Sequence, residues 1–252
     1  MECSVIIADY VEFEDYVLYN TFADGIIAAL TLRSFYQPDE IFDREQLREK
    51  LVDKIGLKSC SIASAEQVHG NLIAYVGRTA HLTGVDGLAT DQPGVVLTAV
   101  VADCLPIYLW SRKRRCIALL HAGWRGTADG IASTGVDFLG QRFGIAPNGL
   151  TALLGPCICS ECYEVGPEVA DRFDQSVLRK GRSDRYFLDL RGENLRQLVN
   201  SGVAEDAIMS DGRCTCCLPE LFYSYRGDGK KAGRMFAALA LLPDRQTAAP
   251  GK

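Results

Sequence analysis

The stretch GVVLTAVVADCLPIYLW (residues 94–110), followed after a basic turn by RCIALLHAGWRGTADG (115–130), decides the fold. Its apolar runs, 94–104, 105–110 and 115–121, are β-rich but lack the polar alternation of a sheet with one wet face. They predict three successive buried strands. Two end on chemistry: Cys104 closes the first run, with Pro106 expected to keep the chain from simply continuing a central strand, and His121 closes the third. Each is followed by a turn, the place where a rigid strand fixes a side chain while the loop leaves room for a ligand.

Working outward, DREQLREKLVDKIGL (43–57) spaces Leu47, Leu51 and Ile55 four apart between charges, a helix ended by Gly56. After Arg125, residues 126–144 carry a helical stripe, Ile131, Val136, Leu139 and Phe143, weakened by Gly130 and Gly135. LTALLGPC (150–157) predicts another strand, GPEVADRFDQSVL (166–178) a helix with Pro167 in its first turn, and RGENLRQLVNSG (191–202) a helix ending near Gly202. GRMFAALALL (233–242) suits a strand or a buried helix equally. Strands and helices alternate without a linker, so the expected architecture is one α/β (α+β) domain over residues 1–252, a mixed sheet flanked by helices, with 243–252 a loose tail.

The chain has 252 residues, 48% of them hydrophobic, enough for a large core. A net charge of -5 gives no electrostatic footprint for nucleic acid or an anionic membrane. The start, MECSVIIADYVEFEDYVLYN, is acidic and interrupted, unlike an export signal, and no apolar run nears the roughly 20 residues of a membrane helix. The expected location is the cytoplasm, with the ten cysteines as reduced thiols, most of them packing residues.

Of three histidines, His69 in AEQVHGN also sits before a glycine at the end of a run, whereas His81 lies in a polar loop. His69, Cys104 and His121 therefore form a His₂Cys set, the three-ligand, open-position arrangement of a catalytic zinc. Their separations, 35 and 17 residues, make no short metal signature. The same residues without metal describe a cysteine hydrolase, Cys104 the nucleophile and His121 its base. A third reading is a regulatory or scaffold protein whose zinc only holds loops together. Cys157, Cys159 and Cys162, with Cys214, Cys216 and Cys217, could build a second thiolate or iron–sulfur site. Their spacing is read as neither the paired Cys-x₂-Cys of a zinc ribbon nor a ferredoxin run, and they are expected to be packing or oxidation-prone thiols.

Taken together, QVHG, ADCLPI, HAGWRGT, GPCI, CYEVG and FYSYRGDG, in order from about residue 64 to 236, resemble the multicopper polyphenol oxidase or laccase-domain proteins, a family associated with purine nucleoside phosphorylase and adenosine deaminase activity. The resemblance implies one zinc on His69, Cys104 and His121. It also implies a fold similar to the catalytic domain of the cytotoxic necrotizing factor toxins, phosphorolysis of adenosine, inosine or methylthioadenosine, and possible deamination. Copper is the other metal the site admits, but three histidines cannot hold the four coppers of a laccase. Phosphate needs cations, and the arginines matching the pattern are Arg33, Arg125, Arg226 and, more weakly, Arg234. Trp124 could stack on a purine or pack over the turn, and Asp103 is expected to support the sheet end instead of acting as a base. The chain departs from the family near Arg33, where AALTLRSFYQPDEIFDREQ lacks the glycine- and serine-rich continuation, and at Ala232-Gly233-Arg234, where the family has TGR.

Overall fold

The three predicted strands form, but in two different sheets. A computed structural model describes residues 6–19, 25–36 and 43–242. The tail expected at 243–252 lies outside them. Strands Leu105–Ser111 and Cys116–Ala122 make an antiparallel hairpin with Pro106 opposite His121 and Ser111 opposite Cys116. This hairpin is the middle of a seven-stranded mixed sheet in the order 6–7, 208–210, 151–154, 105–111, 116–122, 87–90, 73–75. Strand Val95–Val101 belongs to a second seven-stranded sheet, ordered 10–12, 16–19, 26–31, 235–241, 95–101, 61–66, 80–83. A small three-stranded sheet, 164–165, 186–188 and 178–180, lies apart from both.

The absence of polar alternation has a direct cause: the hairpin is covered on both faces. Tyr108, Trp110, Ile117 and Leu119 join the core shared with the second sheet, including Leu30, Leu97 and Leu239. Their neighbours Ile107, Leu109, Ala118 and Leu120 face the other way into a core made with helices Ile131–Phe143 and Leu190–Asn200. Trp110 and Tyr108 are among the largest fully buried side chains, and the Tyr108 hydroxyl donates to the Ala29 carbonyl of the opposite sheet at 3.1 Å, so its polar atom is satisfied inside the sandwich.

Helix Arg44–Lys54 packs on strand Met235–Leu241. It begins where Asp43 accepts hydrogen bonds from the amides of Glu45 and Gln46, and Gly56 beyond its end has φ +79°. The ambiguous run near the C-terminus is a strand, Met235–Leu241, paired on both sides. Residues 126–144 are broken as their glycines suggest: Gly130 adopts a left-handed conformation between helices Trp124–Ala128 and Ile131–Phe143.

Two expectations fail. Only one turn of the predicted helix at 166–178 forms, Pro167–Ala170; Asp174 then caps a short 3-10 turn and Leu178–Lys180 pairs with Tyr186–Leu188. Strand pairing there overrides the helical pattern. Pro106 lies inside a central strand, at its second residue; the chain turns earlier, at Asp103, whose φ is +81°.

Connections between the sheets place the chemistry. The chain passes from the second sheet to the first through residues 67–72, 84–86 and 102–104, and returns through 8–9, 76–79, 91–94 and 211–234; four of these crossings, 67–72, 84–86, 102–104 and 211–234, concern the site. Strands 61–66, 80–83 and 95–101 run parallel, and Met235 pairs with Val101, so these four crossings gather at one end of the sandwich. His69 and Cys104 ride on crossings, and His121 reaches the same end along its strand. Among the described residues, no helix is long and apolar enough to cross a membrane.

Candidate metal centre

The crossings bring His69, Cys104 and His121 together. Each offers one ligand atom, and these atoms lie within 4.8 Å of one another. The two imidazole centroids are 5.0 Å apart at 75°. His121 is buried, whereas His69 is exposed and takes a φ of +63°, a conformation a non-glycine residue holds only when its surroundings enforce it.

The enforcing group is Asp86, on the neighbouring crossing. Its Oδ2 accepts from the amides of Val68 (3.1 Å) and Gly70 (2.7 Å), and its Oδ1 from the His69 amide (2.9 Å). Oδ1 also lies 2.8 Å from His121 Nδ1. One buried carboxylate therefore shapes the His69 loop and fixes His121 with its proton on Nδ1, leaving Nε2 for a ligand. Burial pushes the Asp86 carboxyl up, but hydrogen bonds from His121 and the amides outweigh it and hold it below its usual value. Burial likewise opposes ionisation of Cys104, yet the two imidazoles draw its thiol down to about 6. Burial disfavours the charged form of His121, but Cys104 and Asp86 together raise it to about 9. A thiolate between two imidazoles is a donor set suited to a soft or borderline divalent metal.

Glycines make the room. A Cβ on Gly123 would lie 3.0 Å from His69 Cδ2 and 3.1 Å from Cys104 Sγ. A Cβ on Gly126, in helix Trp124–Ala128, would lie 2.5 Å from the Gly70 carbonyl oxygen, which is backbone and cannot swing away. Alanine at 126 gains about 1 kcal/mol of helix propensity, but relieving this overlap costs about 1–3 kcal/mol. The expected result for Gly126→Ala is a lower melting temperature, and metal affinity reduced about tenfold because the His69 loop is pushed off. Unchanged thermal denaturation and metal titration would refute it.

Around the centre, Asp103 ties three loops. Its backbone carbonyl accepts from Ile158 (3.0 Å), Oδ1 from the Thr215 hydroxyl (2.6 Å), and Oδ2 from the Arg226 amide (2.7 Å). It is a support of the sheet end, as expected. Arg226 is exposed, in the short helix Tyr225–Asp228; its guanidinium donates to the Glu164 carbonyl at 2.8 Å and lies 5.4 Å from the Tyr163 ring centre. Burial raises the Tyr163 phenol well above its usual value, Cys104 and Asp103 add to this, and Arg226 and Arg125 oppose it. That phenol therefore stands protonated between the thiolate and the arginines.

Arg125 is exposed and stacks on Trp124 at 4.4 Å. Trp124 itself packs against the cluster of Val165, Val169 and Leu188. Arg33 is placed differently: its Nη1 donates to the carbonyls of Pro219 and Phe222 and to Asp228, clasping the loop that carries Arg226. Arg234 turns its Nη1 to the carbonyls of Ala232 and Gly233. His81 is hydrogen-bonded to Ser64. Asp86 and Tyr163 are the residues sequence reasoning missed. Asp86 had no signal beyond Asp-Gly before a short apolar run, and Tyr163 was visible only as part of CYEVG. Grooves of about 1140 Å³ along helix Arg44–Lys54 and about 890 Å³ beside Arg191 contain none of these three ligands.

A double-sheet sandwich whose crossings carry a His–Cys–His centre defines a class, and comparison with known proteins identifies it. Residues 32–242 match the family described as multi-copper polyphenol oxidoreductase laccase, and the chain belongs to it. It is 36% identical over 216 residues to a protein of Geobacillus stearothermophilus named purine nucleoside phosphorylase YlmD, covering 79% of this chain and 77% of that one. It is 31% identical to adenosine deaminase RL5 of an unknown prokaryotic organism, covering 81% and 84%. The crystal structure of YlmD from Geobacillus stearothermophilus superposes with a TM-score of 0.86 at 31% identity, covering 94% of this chain and all of that one.

Proposed function

We propose that this protein is a zinc-dependent purine nucleoside phosphorylase, with a deaminating side activity in which water attacks C6 of adenosine and ammonia leaves. The observation that carries the reading is the convergence of His69, Cys104 and His121 within 4.8 Å, beside two arginines and a protonated tyrosine. The names of the relatives supply the substrate class. The donor set fits the metal: one thiolate, one imidazole oriented by a carboxylate, and a glycine where any Cβ would press on two of the ligands. Zinc in that place supplies a Lewis acid that polarises a substrate oxygen.

The chain's own residues do the rest. Arg226, its backbone amide donating to Asp103 and its guanidinium to the Glu164 carbonyl, offers its remaining guanidinium donors to phosphate oxygens, with Arg125 contributing charge. Arg33 acts through the loop it clasps. Phosphate attacks C1′ of the ribose, the C1′–N9 bond breaks, and the base leaves with the bonding electrons and takes a proton. The Tyr163 hydroxyl, kept protonated, donates a hydrogen bond to the leaving or attacking group. Tyr225, 52% exposed beside Arg226, offers a ring face to the purine.

A specific observation favours a second reading. Asp86, His121 and Cys104 lie in line as a carboxylate, an imidazole and a thiol of depressed pKa, the arrangement of a cysteine hydrolase. Incubating metal-assayed protein with inosine and with adenosine, with and without phosphate, separates the two. Free base and ribose 1-phosphate are expected only with phosphate, with activity lost on chelation and restored by zinc. Arg226→Lys should raise the KM for phosphate about tenfold, since an ammonium cannot bind two oxygens at once. Activity that survives chelation but not thiol alkylation would establish the hydrolase instead.

A further inference from the structure

Among the described residues, the cysteines include packing thiols and a cluster. Cys60, Cys116 and Cys157 are the packing thiols, and burial pushes the Cys116 and Cys157 thiols up to about 12. Cys159, Cys162, Cys214 and Cys217 form the cluster. Their four sulfur atoms lie within 4.8 Å of one another, Cys217 at 3.4 Å from Cys162 and 3.8 Å from Cys159. All four are free thiols. Read as pairs, with Cys157 and Cys216 set aside, they are Cys-x₂-Cys twice, 159–162 and 214–217.

We infer that these four cysteines bind a structural zinc ion, separate from the His–Cys–His centre. Four thiolates tetrahedral about zinc at ~2.3 Å stand ~3.8 Å from one another, close to the 3.8 and 3.4 Å that separate Cys217 from Cys159 and Cys162 and inside the 4.8 Å that bounds the whole set. Clusters of several irons need their sulfur ligands spread wider. Both loops are shaped for the task. The amides of Cys159 and Cys217 donate to Cys214 Sγ at 3.2 and 3.4 Å, as amides stabilise thiolates at the turn of a zinc knuckle. Cys157 and Cys214 form a parallel bridge that holds the two loops in register. A divalent ion would take all four sulfurs as thiolates and release their protons.

The ion would brace the neighbouring centre. Cys162 precedes Tyr163, and Thr215, between Cys214 and Cys216, holds Asp103, which precedes Cys104. The inference stands apart from the nucleoside reading, since it concerns other ligands and needs no activity for its test. Protein purified without chelator is assayed for metals beside the Cys159→Ser/Cys217→Ser variant. The wild type is expected to hold one zinc per chain more than the variant and to melt at least about 5 °C higher. Cobalt(II) in place of zinc should give the intense sulfur-to-metal charge-transfer absorption of four thiolates, retained in Cys104→Ala. If the double variant fails to fold, the cobalt spectrum of the other two proteins decides alone. Equal zinc in wild type and variant, iron in place of zinc, a disulfide joining Cys217 to Cys159 or Cys162, or a cobalt spectrum without tetrathiolate intensity would overturn the inference.

Discussion

Replacing Asp86 by asparagine is expected to empty the His–Cys–His centre, cut phosphate-dependent turnover at least about 100-fold and destabilise the fold by about 3 kcal/mol. The carboxylate is buried and accepts four hydrogen bonds, two at each oxygen. An amide must turn its NH₂ toward one of those pairs of donors. If it faces Oδ2's partners, the Val68 and Gly70 amides lose their acceptor; if it faces Oδ1's, His121 loses the group that fixes its tautomer. Two broken bonds to a charged acceptor, at about 1.5–3 kcal/mol each, outweigh any relief from removing the charge. The pH dependence follows from the same carboxyl. Its folded pKa lies below the unfolded value, so its stabilisation is complete above the unfolded pKa, near 4, and is lost as the pH falls through the folded value. Denaturation midpoints at neutral and acid pH, with metal analysis, test this. The wild type should lose more stability on acidification than Asp86→Asn, and a variant retaining full metal and activity would refute the assignment.

Cys104→Ala should lower turnover by about 1,000-fold or more while leaving the melting temperature within a few degrees. In the proposed centre the thiolate is one of three ligands and the only anionic one, so without it a divalent metal would be left on two neutral imidazoles. The fold has less to lose: the residue is small, sits at a turn between sheets, and makes no hydrogen bond that holds a strand. Cys104 is the foremost of the groups that raise the His121 imidazole, so in the variant its pKa falls, with Asp86 still holding it up. Turnover equal to wild type, measured by chromatography of the free base, would show that the thiol takes no part.

The hairpin strands and the His69–Cys104–His121 set were legible in the sequence for one reason: each chemical residue closes a short apolar run, and a strand end is a fixed position in any sheet fold. What the runs could not reveal is that 95–101 and 105–111 lie in different sheets, because two residues with positive φ, Asp103 and His69, set the crossings and neither is glycine. Asp86 was invisible because its partners come from loops 17 and 35 residues away. Arg33 reads as a phosphate ligand from its place in the resemblance, whereas its guanidinium hydrogen-bonds the 219–228 loop. The cysteine quartet was overlooked because Cys157 and Cys216, beside the two Cys-x₂-Cys pairs, mask their spacing. At 166–178 a helical pattern yielded to strand pairing that local propensity does not encode.

Strand Met235–Leu241 lies between Ile26–Thr31 and Val95–Val101, with partners on both sides, although it comes last among the described strands. During synthesis its neighbours emerge first and must wait, each with an apolar edge facing water, until residue 241 clears the ribosome. A sheet built this way cannot zip up from the N-terminus; its closure is a late event of high contact order, slow compared with a helical bundle. The crossing that leads into this last strand, 211–234, carries Arg226 to the site, so that arginine is fixed in place only with this late closure.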